Sequence, residues 1–199
     1  ATVAILGQPP RHVTMTERRL TVLQCLPALD GGGVEQGVLE IGQALVNAGH
    51  RSLVMSDGGR LTNSLVSCGS EHFRWSVGRK TLGVVTLIRP LARLLRDQQV
   101  DILHLRSRLP AWVGWLAWRQ LPVDARPRLV TTVHGFYSVN RYSAIMTRGE
   151  RVIAVSESIR RYIHENYSDV DADRVEVINR GIDPSRFYPE YQPSAKWQE

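Results

Sequence analysis

Between residues 20 and 178, short apolar runs alternate with longer amphipathic stretches. The runs Leu20–Leu26, Arg51–Ser56, Glu71–Trp75, Val100–Leu105, Arg128–His134, Arg151–Val155 and Arg174–Ile178 read as strands. Most are continuous rather than alternating, as expected of strands buried on both faces of a parallel sheet. The intervals carry helical spacing. Val34, Val38, Ile41, Leu45 and Ala48 fall on one helical face, and Gly49 supplies a C-terminal stop. Leu61–Ser67, Leu91–Asp97, Ala111–Leu121 and Glu157–Asn166 continue the series. Strand–helix–strand alternation predicts an α/β fold: a Rossmann-like, doubly wound, mostly parallel sheet with right-handed crossovers. In such a sheet ligands gather at the carboxyl ends of the strands.

The regular pattern occupies residues 19–183. Residues 1–18 are weakly patterned around Pro9 and Pro10 and read as an N-terminal extension. Residues 184–199, with Pro184, Pro189 and Pro193, read as a linker toward a further domain. Of the 199 residues, 43% are hydrophobic and 22% charged, which excludes a disordered chain. Two cysteines, Cys25 and Cys68, are too few for a disulfide scaffold or a four-cysteine zinc site, and their apolar neighbours predict buried thiols. The longest apolar run, Leu109–Trp118, contains Pro110 and is well short of the ~20 residues of a spanning helix. Ala1–Pro10 lacks the basic head and apolar core of a secretory signal. The net charge of +6 favours anionic partners: nucleic acid, phosphorylated ligands or lipid.

The strongest local signal is Asp30-Gly31-Gly32-Gly33-Val34-Glu35-Gln36-Gly37, between a strand and a helix. Glycines admit close backbone approach, and the amides and dipole of the following helix attract a phosphate or sugar diphosphate. Gly31, Gly33 and Gly37 also satisfy a variant of the dinucleotide fingerprint, with Asp57 placed as a ribose ligand, so an NAD(P)-dependent oxidoreductase competes. His134, closing its strand before Gly135, faces the same edge and could donate a hydrogen bond or move a proton. His104 closes another strand between Leu103 and Leu105. Arg106 and Arg108 follow that strand and suit an anionic acceptor; Asn140, Arg141 and Tyr142 offer further polar contacts. Ser156 reads as an N-cap, with Glu157 in the first turn as a candidate ligand contact. Arg89, Arg93 and Arg96 share one helical face, opposite Ile88, Leu91, Leu94 and Leu95, and suit either solvent or an anionic membrane surface. Trp112, Trp115 and Trp118 form a stripe that reads as core. No metal-ligand spacing and no nucleic-acid motif is present in the sequence, so neither partner is expected.

In order along the chain, Leu29–Glu35 with a helix ending Ala48-Gly49-His50, then Val100–His104, Thr132–Phe136, Arg151–Ser158 and Val177–Asp183 resemble the N-terminal half of a GT-B-fold retaining glycosyltransferase of the bacterial group-1, family 4 type. The resemblance covers residues 20–187. It implies a two-domain enzyme whose first half mainly holds the acceptor and whose second half mainly holds a nucleotide-sugar. It implies that Gly32 and Gly33, in the loop opened by Gly31, approach the donor's phosphate and sugar. It implies that His134 touches the donor sugar and aids catalysis, and that anomeric configuration is retained without metal or other cofactor. Where many members carry asparagine, Arg180 precedes Gly181, and no contact is assigned to it. The family's paired glutamates and basic diphosphate-binding residues would lie beyond Glu199, so residues 1–199 alone are expected to fold without catalysing transfer. The family and the basic helix together imply a saccharide or lipid-linked acceptor. They also imply work in lipopolysaccharide or surface-polysaccharide assembly, cytoplasmic or peripheral on the inner face of the membrane. A non-catalytic Rossmann-like binding module is the third reading.

Overall fold

The computed structural model describes residues 18–79 and 81–181; the expected linker at 184–199 and the extension before Arg18 lie outside the described residues. Each expected run contains a strand: β1 (Thr21–Cys25), β2 (Arg51–Ser56), β3 (Glu71–Arg74), β4 (Ile102–Leu105), β5 (Arg128–Val133), β6 (Arg151–Ala154) and β7 (Val175–Val177). They form one sheet in the order β3-β2-β1-β4-β5-β6-β7, with every neighbouring pair parallel. The helices are α1 (Gly33–Asn47), α2 (Thr62–Ser67), α3 (Ile88–Asp97), α4 (Arg108–Arg119) and α5 (Glu157–Asn166). Helices α3 and α4 begin three residues earlier than the apolar pattern implied. Pro90 falls in the first turn of α3, where its missing N–H costs nothing, and Pro110 is likewise the third residue of α4.

Register explains the two-sided burial. Leu53, Leu23, Leu103 and Leu129 lie side by side across four strands and belong to one large core with Leu91 and Leu95 of α3, Ala111 and Ala117 of α4, and Ile159 and Ile163 of α5. On the opposite face a smaller core joins Val54 to Leu26, Leu29, Val38 of α1 and Leu65 of α2. Moving along that second face, the row Val54, Gln24, His104 turns polar between β2 and β4. Gln24 is nevertheless fully buried, and its Nε2 donates to the Val38 carbonyl at 3.2 Å. The chain winds from β1 outward to β3, then returns to β4 on the other side of β1. The β1/β4 boundary is therefore the switch point where a doubly wound sheet opens a crevice.

Two sequence expectations need adjustment. Cys25 is buried, and desolvation pushes its thiol up to about 12. Cys68 is only half-buried. The tryptophans pack against the large core but stay half-buried, with Arg119 stacked over Trp115 at 4.8 Å and Arg126 over Trp118 at 4.5 Å.

The approach of α4 to the sheet depends on Gly114, where an added Cβ would sit 2.5 Å from Cδ2 of the fully buried Leu105. Gly114→Ala should therefore lower stability by about 1–2 kcal/mol, overpacking outweighing the better helix propensity of alanine. A lower urea midpoint at unchanged slope is the expected result.

Candidate functional site

The segment from Leu26 to Gly32 joins β1 to α1 along the carboxyl edge of the sheet. Leu29 N–H donates to the Gly58 carbonyl at 2.8 Å, which holds the loop against the end of β2. Gly31 takes φ +128°, a conformation closed to side-chain-bearing residues without strain. Gly32 is the extended N-cap of α1, and no side chain caps the helix there. The positive end of the helix is thus left facing the crevice.

Each of the three fingerprint glycines faces an arginine. The Arg60 guanidinium packs on Gly31 and donates to the Asp30 carbonyl. Arg180, from the segment after β7, packs on Gly33. Arg106, after β4, brings Nη2 to 3.1 Å from where a Gly37 Cβ would lie. These glycines therefore admit guanidinium groups to the helix start. Asp57, the acidic residue of the dinucleotide reading, accepts from Ser76 at 2.8 Å and pairs with Arg79 at 2.9 Å, and these partners hold its carboxyl below the ordinary range.

A cavity of about 320 Å³ opens between α1 and the ends of β4, β5 and β6. Gly37, Glu40 and Ile41 of α1 form one wall; His104, Arg106, Thr132 and His134 form the floor; Ile153, Val155 and Ile178–Gly181 form the other wall. His104 is buried and its Nε2 lies 2.7 Å from the Thr132 hydroxyl. Burial, then Arg106 and His134, drive its pKa well below the ordinary value. The His134 Nδ1 lies 3.0 Å from Arg180 Nη2. A guanidinium can only donate, so Nδ1 accepts and the ring proton sits on Nε2. That nitrogen is buried and lacks a partner among the described residues. Burial first, then Arg106 and Arg180, push His134 down to about 3, so the ring is neutral at physiological pH. Arg106 is 4% exposed; its Nη1 donates to Gln24 Oε1 at 3.2 Å, and its Nε has no partner among the described residues. Desolvation lowers it to about 10, so it stays charged.

The fold thus brings together the loop Gly31–Gly33, Arg106 and His134. It adds Arg180, for which no contact was expected, together with His104 and Gln24. The other expected residues lie elsewhere. Arg108 turns the opposite way, stacking on Tyr137 at 4.9 Å and Tyr142 at 5.5 Å. Asn140 Oδ1 accepts from Ser143 N–H, fixing a turn, and Arg141 is exposed beside it. Tyr142 is exposed, its carbonyl accepting from Trp112 Nε1 at 3.0 Å. Ser156 caps α5 through Ile159 N–H as expected. Glu157 pairs with Arg160 at 2.8 Å on the outer surface, away from the cavity. Arg89, Arg93 and Arg96 are exposed and line a separate groove of about 380 Å³ with Gln120, Leu121, Pro122 and Ala125. Among the described residues no helix is long and apolar enough to cross a membrane, and no cluster of His, Cys, Asp and Glu forms a metal site.

Comparison with known proteins fits this geometry. The Glycosyltransferase Family 4 model matches residues 31–186. A crystal structure of a glycosyltransferase from Rickettsia africae is 32% identical, with a TM-score of 0.75 over 92% of this chain and 48% of that one. Anabaena HepE, crystallised with UDP and glucose, is 18% identical, with a TM-score of 0.67 over 84% of this chain and 46% of that one. The lipopolysaccharide outer core galactosyltransferase WaaB is 9% identical, with a TM-score of 0.62 over 81% of this chain and 46% of that one. No match was found among curated proteins. The chain belongs to Glycosyltransferase Family 4 and has the Rossmann-like fold of the N-terminal half of GT-B enzymes. It spans about half the length of the solved structures it matches.

The buried histidines set an acid limb of stability. Unfolded histidine protonates near pH 6.5, whereas His134 resists protonation down to about 3 and His104 to well below its ordinary value. The unfolded chain therefore takes up protons first as pH falls. The stability carried by the neutral rings is complete above the unfolded pKa and is lost progressively below it. His134→Asn should flatten the fall in thermal midpoint between pH 7 and pH 4; an unchanged acid limb would remove His134 from this account.

Proposed function

We propose that the protein is a glycosyltransferase that moves a sugar from a nucleotide-sugar donor to a saccharide or lipid-linked acceptor with retention of anomeric configuration. The observation that carries this reading is the meeting of an uncapped, glycine-led helix start, two arginines and a neutral histidine in one cleft, in a chain of this family. Departure of a nucleoside diphosphate develops negative charge on its phosphate oxygens. Pre-set N–H donors and guanidinium groups stabilise that charge more than they stabilise the bound donor. Gly32 and Gly33 let the diphosphate approach the backbone. The protonated Nε2 of His134 serves as a hydrogen-bond donor to the sugar rather than as an acid, because its ring holds no exchangeable second proton at neutral pH. The arginines supply the positive charge that a metal ion would otherwise bring, and no cofactor enters the proposal. UDP and glucose in the Anabaena structure support a uridine nucleotide as the first donor to try.

The acceptor and the pathway rest on the surface. The arginine face of α3, with exposed Val85 and Val123 nearby in sequence to its two bordering segments, suits a peripheral enzyme acting at the inner face of the cytoplasmic membrane. The fold shared with WaaB supports lipopolysaccharide or surface-polysaccharide assembly as the setting.

In the full-length protein His134→Ala should cut turnover by at least tenfold, the order of a lost transition-state hydrogen bond, with an unchanged circular dichroism spectrum. Wild-type turnover in that variant would remove His134 from the mechanism. Residues 1–199 assayed alone should bind ligand without transferring sugar.

Replacing Arg89, Arg93 and Arg96 together by glutamine should weaken partition onto phosphatidylglycerol-containing vesicles on the order of a hundredfold at low salt, each cation near such a surface contributing roughly 1 kcal/mol. Co-sedimentation that ignores lipid charge and salt would refute membrane docking by this face.

A further inference from the structure

His134 stands one residue beyond the sheet. The β5/β6 pairing ends with Val133 opposite Ala154, and the His134 N–H has no backbone partner among the described residues. It turns instead to the Tyr137 hydroxyl, at 3.4 Å. The chain then passes through Gly135, where an added Cβ would meet nothing within 4 Å, so side-chain packing does not fix the turn at that point. The hold comes from α5, which follows the neighbouring strand β6. The Tyr162 hydroxyl donates to the Tyr137 carbonyl at 2.6 Å. The Tyr162 ring meets the Phe136 ring edge-on, with centroids 5.3 Å apart and planes at 86°. One buried side chain thus holds both residues after Gly135, and Phe136, 69% exposed, has little burial of its own to fix it. A tyrosine hydroxyl has a single proton. That of Tyr162 goes to the Tyr137 carbonyl, so the Tyr167 hydroxyl, 3.4 Å away, is the donor to Tyr162. Burial raises the Tyr137 and Tyr167 hydroxyls above the ordinary tyrosine range, so both stay protonated at neutral pH. From the other side, the Arg108 guanidinium of α4 lies over the Tyr137 ring at 4.9 Å. None of these tyrosines lines the cavity that His134 enters.

We infer that Tyr162 is a positioning residue for His134: through the Tyr137 carbonyl and the Phe136 ring it fixes the turn after β5 and so sets where the imidazole lies. The hydrogen-bonded row from Tyr167 to Tyr162 to the Tyr137 carbonyl ties α5 to that turn, and Arg108 holds the Tyr137 ring from α4. The ring of His134 keeps its proton on Nε2 only while Nδ1 stays within reach of Arg180. A turn that drifts loses that contact and with it the aim of the Nε2–H. A side chain supported in this way holds its geometry more closely than one at a free strand end. The inference rests on the transferase reading for what His134 does, and it deepens that reading by naming the residues outside the cleft that place it.

The test observes His134 itself, by magnetic resonance of its ring nitrogens in the full-length protein carrying isotope-labelled histidine; His134→Asn assigns the signal by its loss. The wild type should show a single tautomer, protonated on Nε2. Tyr162→Phe keeps the ring against Phe136 and removes only the hydroxyl. It should mix the tautomers and lower kcat with UDP-glucose about tenfold at unchanged KM, since a misplacement of about 1 Å can cost on the order of a hundredfold. Tyr167→Phe, one hydrogen bond further out, should move both readouts the same way by less. A purely structural Tyr162 would lower the thermal midpoint of its variant and leave the His134 tautomer as in the wild type, and that result overturns the inference. Amide exchange in the unmodified protein reads the same turn should Tyr162→Phe fail to fold. The His134 N–H should exchange about tenfold more slowly than that of Gly135, which has no partner among the described residues; equal exchange likewise overturns the inference. Mixed tautomers in Tyr162→Phe, with no turnover of UDP-glucose by the wild type, would uphold the placement of His134 by Tyr162 and count against the transferase reading instead.

Discussion

Every strand of the described sheet runs in the same direction, and that constraint organises the rest of the molecule. Parallel neighbours cannot be joined by tight hairpins, so each connection must climb back along a face of the sheet. All seven carboxyl ends consequently emerge at one edge. Reversal of winding at β1/β4 leaves the helices after β1 and those before and after β4 on opposite faces, as the two separate cores record. The crevice between them follows from topology. Its chemistry follows from which residues happen to end or follow the strands: His104, Arg106, Thr132 and His134 sit there because β4 and β5 stop there.

Glycine has a different meaning in this crevice from the one its spacing suggests. In a dinucleotide fold the absent side chains make room for pyrophosphate and for helix–strand packing. Here the space beside Gly33 and Gly37 is held by Arg180 and Arg106, which arrive from segments far apart in the chain. Packing a cation against the positive end of a helix is unfavourable by itself. Doing so twice, with one of the two guanidiniums buried yet still charged, concentrates positive potential where a phosphorylated ligand would relieve it. Burial is the larger reason that His134 stays unprotonated, and the same positive potential, from Arg106 and Arg180, adds to it.

Glu157 and Arg108 show the converse. Both follow strands, and by that rule both belong near the crevice. Arg108 begins α4, and the helix carries its side chain to the face where Tyr137 and Tyr142 lie. Glu157 begins α5 and turns outward to Arg160. Arg106 directly follows β4 and stays in the cleft, whereas Arg108 and Glu157 open helices whose first turns carry their side chains elsewhere.

The sequence by itself determined the strands, the alternation and hence the sheet. Apolar runs at strand length and helical spacing between them are local properties, and each run contains a strand in the structure. It also determined the glycine loop, the histidine at the end of β5 and Arg106 as residues of one edge, since strand order and direction follow from the alternation. What only the tertiary structure decided is how those residues meet. Arg180 joins the site because β7 ends beside β6 and delivers the following segment to His134; the motif Val177–Asp183 marks that segment in the sequence but not the contact its arginine makes. Charge and protonation were likewise invisible in the sequence. An arginine is unpaired, and a histidine neutral, only by virtue of the neighbours and the burial that folding supplies.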